Sequence, residues 1–115
     1  MSLNLNSALH GSAPIFAALG DATRLRLVAR LCDGEPLSIT QLAHGSQVTR
    51  QAITKHLHVL EDAGLVQGFR QGREQLWELK PQQLAAARHH LELISRQWDE
   101  ALDRFKAAIE NKGTT

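Results

Sequence analysis

The sequence predicts a mainly α-helical domain carrying one small β-hairpin, with elements in the order α-α-α-α-β-β-α. Three observations predict it. The run RQAITKHLHVLEDAG at 50–64 places Ile53, Leu57 and Leu60 at spacings of four and three, one face of a helix. Arg50, Gln51, Thr54, Lys55 and His58 project from the other side. Two short runs with β-branched and aromatic content, 65–70 and 74–79, flank Gln71, Gly72 and Arg73, and the glycine supplies the positive φ of a tight hairpin. Downstream, 82–109 contains neither glycine nor proline, and Leu84, Leu91, Trp98 and Phe105 recur every seventh residue.

Taken in order, residues 1–8 are expected to be flexible. A first helix at 9–19 carries Ile15, Phe16 and Leu19 on its apolar side and breaks at Gly20. Asp21 caps a second helix over 22–32, with Leu25, Val28, Leu31 and Cys32 facing inward. Cys32 is then a small core residue, with a redox switch as its alternative role. Gly34 stops that helix and Pro36 prevents its resumption. Leu37, Ser38 and Ile39 form a short strand able to pair with the hairpin. Thr40 caps a short third helix, 41–44, with Leu42 and Ala43 inward, and 45–48 is a turn. Thr49 is the N-cap of the amphipathic helix and Gly64 its C′ residue. His56, beside the apolar face, reads as packing. The second hairpin strand alternates imperfectly, since Leu76 and Trp77 are adjacent.

Pro81 suits the first turn of the last helix, where Ala87, Ile94, Ala101 and Ala108 make a second seam. Such a helix runs on the order of 40 Å, longer than a domain of this size needs for its own core. It is therefore expected to pack against its own copy and the first helix, with Leu84, Leu91, Ile94, Trp98 and Phe105 as the homodimer interface. The expected boundaries are a domain at 9–80, a dimerisation helix at 81–110 and a flexible tail at 111–115.

Composition narrows the class. A chain of 115 residues with 43% hydrophobic and 22% charged residues is one ordinary soluble domain. No apolar run reaches membrane-span length, and the start lacks the basic head and apolar stretch of a secretory signal. The single cysteine excludes an intrachain disulfide framework. A cytoplasmic protein is expected. No nucleophile motif or phosphate-cradling glycine loop is present and no tyrosine occurs, so an enzyme is not expected and no cofactor is implied.

A short helix, a turn, a polar-faced helix and an arginine-tipped hairpin stand in the order of a winged helix-turn-helix. That fold sets its second helix in the major groove of duplex DNA and the wing beside it. Gln51 and Thr54 are the candidate base readers, Arg50 and Lys55 contact base or phosphate, and Thr49 and His58 complete the helical set. Arg70 and Arg73 meet the backbone or minor groove from the hairpin tip. The formal net charge is only +1, but the basic residues gather at the helix start and wing tip, away from Glu61 and Asp62. So few phosphate contacts per copy favour two copies on one duplex, with recognition helices roughly 34 Å apart.

These residues resemble a known family. FAALGDATRLRL at 16–27 is similar to the opening signature of the ArsR/SmtB repressors, and VTRQAITKHLHVLEDAGLV at 48–66 to their recognition helix and its exit into the wing. Arg70, Gln71, Gly72 and Arg73 resemble the family's wing turn. The resemblance covers about residues 14–80 and implies a homodimeric repressor of its own operon, released from DNA by an effector. The family's cysteine metal site, Cys-x-Cys-x-Leu-Ala, is matched by Ser38, Ile39, Thr40, Gln41, Leu42 and Ala43, where hydroxyls replace both thiolates. A second family site joins the last helices through an Asp-x-His pair and a later His or acidic pair; aligned on His89, this chain offers Ala87, His89, Glu100 and Asp103, an incomplete set. His89 and His90 point about 100° apart on a helix and do not chelate one ion together. The expectation is a regulator that is not a metal sensor of the usual type. A zinc-like sensor using His89, Glu100 and Asp103 is one alternative, and a winged-helix protein-interaction module without DNA binding is the other. Trp98 is dimer core or, alternatively, the lining of an effector pocket between subunits.

Overall fold

The computed structural model describes the backbone of residues 2–113 and the side chains of residues 10–111. Helix α1 (Ser2–Leu19) leads into α2 (Ala22–Leu31) through Asp21, whose carboxylate accepts from the Arg24 N–H and starts α2. The segment expected to be flexible, 1–8, is helical from Ser2, while Met1 lies outside the described residues. Its asparagines and serines cost a helix only a fraction of a kcal/mol each, too little to stop one.

The inner face of α2 differs from expectation. It buries Leu27, Val28 and Leu31, whereas Leu25 is 52% exposed and Cys32 is exposed. Residues 25 and 32 each stand about 100° from the centre of the buried stripe, at its margins rather than within it. A core role for Cys32 is thereby corrected.

The cap of the third helix also moves. Strand β1 (Leu37–Ser38) runs directly into α3 (Ile39–Ala43), and Ser38, not Thr40, is the N-cap. The Gln41 N–H donates to Ser38 Oγ at 3.1 Å and the Ser38 N–H donates to Gln41 Oε1 at 2.9 Å. This reciprocal capping box satisfies two end groups at once and draws the helix start forward. Thr40 stands exposed within α3.

Helix α4 (Arg50–Asp62) keeps the expected ends: the Ala52 N–H donates to Thr49 Oγ1 at 3.1 Å, and Gly64 takes φ 78° beyond the C-cap. It packs Ile53, Leu57 and Leu60 against Leu27, Leu31, Leu65 and Val66 in the central core. Strands β2 (Val66–Gln71) and β3 (Glu74–Leu79) pair antiparallel, and β1 joins the far side of β3, giving the order β1-β3-β2. Gln71 extends β2 by one residue, so the turn shrinks to Gly72 and Arg73, with Gly72 at φ 65°. As the middle strand, β3 buries both Leu76 and Trp77, which accounts for the broken alternation. Trp77 faces Gly68 across the ladder, and a β-carbon there would stand 3.2 Å from its ring and 2.5 Å from Gln75 Nε2, so a larger residue would force both side chains to shift.

Helix α5 (Pro81–Gly113) outgrows its expected bounds at 81–110, and of the expected tail Thr114 and Thr115 lie outside the described residues. Its first turns cross α1: Ala87 is buried beside Ile15 and Ala18, and His90 Nδ1 is hydrogen-bonded to the buried Ser12 hydroxyl. Beyond Ile94 the described residues of α5 are exposed, and the molecule reaches 73 Å in its longest dimension. Among the described residues no helix is long and apolar enough to cross a membrane.

Candidate nucleic-acid interface

The outward face of α4 begins with a concentration of donors. Thr49, Arg50, Gln51 and Lys55 are exposed, and no acidic residue occupies the first turn. The positive end of the helix dipole and both cations therefore act in one place, which suits phosphate. Thr49 spends an acceptor lone pair on its cap and keeps its O–H free to donate outward. Thr54 is half-buried, and its hydroxyl donates to the Arg50 carbonyl at 2.9 Å. With its proton engaged, Thr54 can accept from a base or place its methyl against a thymine methyl, but it cannot donate.

His58 stands apart from this group. Its Nδ1 lies 3.4 Å from Glu61 Oε1, and its ring meets Trp77 edge-on at 5.7 Å between centroids. The histidine thus joins α4 to the sheet that carries the wing. At the hairpin tip Arg70 and Arg73 are exposed: Arg70 precedes Gln71, and Arg73 lies within the turn that the Gln71 and Glu74 register pair closes. Gln67 Nε2 donates to Glu78 Oε1 at 2.6 Å across the base of the wing and braces the ladder that holds them.

A polar junction that sequence reading passed over anchors α4 to α2. Arg24 Nη1 donates to His56 Nδ1 at 3.2 Å, Asp21 Oδ2 lies 3.9 Å from the same nitrogen, and the Arg24 Nε–H also donates to the Ala18 carbonyl. His56, expected to be packing, is instead the α4 end of this junction. The visible signal was the Asp21–Arg24 spacing of a helix cap. The Arg24 backbone N–H holds the Asp21 carboxyl below the ordinary value of 3.8, with the Arg24 and His56 side chains adding to the effect. Ionised Asp21 therefore stabilises the fold above 3.8, and that contribution is lost as pH falls through the lower native value. In acid unfolding, the stability advantage of wild type over Asp21→Asn is expected to shrink below 3.8; a pH-independent difference would show that the charge contributes nothing.

The family-type metal candidates do not converge. His89, Glu100 and Asp103 are exposed along α5, and His89 and His90 rings stand 6.1 Å apart and tilted. Among the described residues of one chain, no group of three His, Cys, Asp or Glu side chains comes together to hold a metal ion. Of the expected interface set, Leu84 is half-buried against the domain core and Ile94 is half-buried, while Leu91, Trp98 and Phe105 are exposed.

Comparison with known proteins agrees with this geometry. Residues 19–68 match the family model described as a helix-turn-helix domain. The HTH-type transcriptional regulator Rv2034 of Mycobacterium tuberculosis is 38% identical over 96 residues, covering 84% of this chain and 86% of that protein. The uncharacterized HTH-type transcriptional regulator YuzN of Bacillus subtilis is 45% identical over 65 residues, 51% of this chain and 71% of its own. Among solved structures, an ArsR-like transcriptional regulator from Rhodococcus sp. RHA1 superposes with a TM-score of 0.71 at 36% identity, covering 87% of this chain and 93% of that one.

Proposed function

From a chain that belongs to the ArsR family of winged helix-turn-helix, DNA-binding transcriptional regulators, we infer a cytoplasmic homodimer that represses its own operon until an effector releases it. The observation that carries the DNA-reading part is the exposed, acid-free start of α4 beside an arginine-tipped wing. Gln51 reads base edges, with Thr54 as an acceptor or methyl contact. Arg50 and Lys55 take base or phosphate, Thr49 donates to phosphate, and Arg70 and Arg73 clamp the backbone. His58 serves by tying the wing to α4 and reaches phosphate only on leaving Glu61. Homodimerisation rests on the exposed apolar seam of α5. Ser38 and Thr40 make a poor soft-metal site, so the effector is read as something other than a metal.

Fluorescence-anisotropy titration onto the upstream intergenic DNA at two salt concentrations tests the assignment. Lys55→Ala and Arg73→Ala are each expected to weaken binding to all sequences and to lower the salt slope by about one. Gln51→Ala is expected to relax preference at one base pair by about 1–3 kcal/mol. Wild-type binding by both Lys55→Ala and Arg73→Ala would refute these contacts. Zinc is expected to change nothing; release by zinc would restore His89, Glu100 and Asp103 as ligands. Absence of DNA binding by the wild-type chain would favour a protein-interaction module.

A further inference from the structure

A cavity of about 190 Å³ lies between α2 and the turn that joins α3 to α4, and nothing in the DNA-reading scheme uses it. One wall is a stripe of α2 in which Thr23, Arg26, Leu27 and Arg30 follow one another at helical spacing. Its apolar part is formed by half-buried Val48 and by the edges of Leu27, Leu42 and Ile53, which are otherwise packed in the core. Facing the stripe are His44 and Ser46 of the turn. Two guanidinium groups one helical turn apart thus stand at the mouth of an apolar recess.

The charge there is unbalanced. Among the described residues no acidic side chain lines the cavity, and neither Arg26 nor Arg30 is paired with a carboxylate. Arg30 Nη1 makes one long hydrogen bond, 3.4 Å, to the Leu42 carbonyl. A planar guanidinium matches a carboxylate with two parallel N–H donors, and a neighbouring cation strengthens that pairing. A DNA phosphate would meet the same cations but has no use for the apolar part, which offers it no donor. A compact apolar body bearing one carboxylate uses both halves of the cavity.

We propose that this cavity is a binding site for a small organic monocarboxylate, its apolar body against Val48 and the edges of Leu27 and Leu42 and its carboxylate between Arg26 and Arg30. The inference goes beyond the repressor reading by assigning a ligand class and a place for it. The occupant touches both α2 and the segment that sets the start of α4: the Val48 N–H donates to Ser46 Oγ at 3.0 Å, just ahead of the Thr49 cap. It also competes for the Arg30 hydrogen bond to Leu42. Binding is therefore coupled to the position of the DNA-reading end of α4 relative to α2.

The test uses the full chain without DNA, so it stands whether or not the repressor reading does. Benzoate is titrated by calorimetry and by chemical-shift perturbation, with benzamide as its neutral counterpart. Saturable benzoate binding with a Kd on the order of 1 mM is expected for so small a ligand, with shifts centred on residues 23–30 and 42–53. Arg26→Gln, an exposed position, is expected to weaken it about tenfold, and Arg88→Gln on α5 to leave it unchanged. Arg30→Gln serves as a second variant, its thermal unfolding checked because it also loses the bond to Leu42. Benzamide binding as tightly as benzoate, wild-type affinity in both arginine variants, or no saturation by benzoate up to roughly 10 mM would each overturn the proposal.

Discussion

Replacing Trp98 and Phe105 together by glutamate is expected to yield a folded monomer that binds operator DNA about a hundredfold more weakly than wild type. In the single chain these side chains are 64% and 65% exposed, and Leu91, Leu102 and Ile109 extend the same uncovered apolar surface along α5. Burying each large side chain against a second copy is worth about 1.5–3 kcal/mol. A carboxylate at either position would instead have to be desolvated without a partner. Neither side chain belongs to the buried core around Leu57 or packs against it, so thermal unfolding of the domain should persist. Sedimentation equilibrium reads the assembly and anisotropy reads the DNA affinity, since two linked half-site contacts exceed one by about 10²–10⁴. A dimer that survives both glutamates would move the interface off this seam.

The second large effect is on stability. Leu57→Ala is expected to cost about 3–5 kcal/mol, because Leu57 is fully buried where α4 meets α2 and the sheet, and truncation leaves a cavity that close packing only partly refills. In urea unfolding the midpoint should fall with little change in slope. Val59→Ala, on the same helix but exposed, should cost under about 1 kcal/mol, which separates core loss from a helix-propensity effect. Equal losses at the two positions would mean that α4 is not held by its inner stripe.

The contrast between these residues explains how much could be read from the chain. Local rules act over three or four residues, so Thr49 and Asp21 were recognisable as caps, Gly64 and Gly72 as positive-φ positions, and Ile53, Leu57 and Leu60 as one buried face. The Ser38–Gln41 box is equally local, but Thr40 carries the same hydroxyl chemistry two residues on, and only the backbone conformation at Ser38 identifies the cap. Leu25 and Cys32 were misplaced because a ten-residue helix lets an apolar stripe be drawn in more than one register, and only its neighbours choose.

Periodicity and turn chemistry alone determined the order of elements, the polar outer face of α4, the arginine-tipped wing and the long apolar seam of α5, since each is a repeat or a backbone constraint written in adjacent residues. Tertiary structure decided what those elements bring together. It put Arg24 and Asp21 on His56, Trp77 over Gly68 and against His58, and Arg26 and Arg30 at the mouth of an apolar cavity beside the helix-turn-helix turn. These partners are separated in sequence, and their meeting depends on how helices and strands cross in space, a long-range packing outcome that no local spacing encodes.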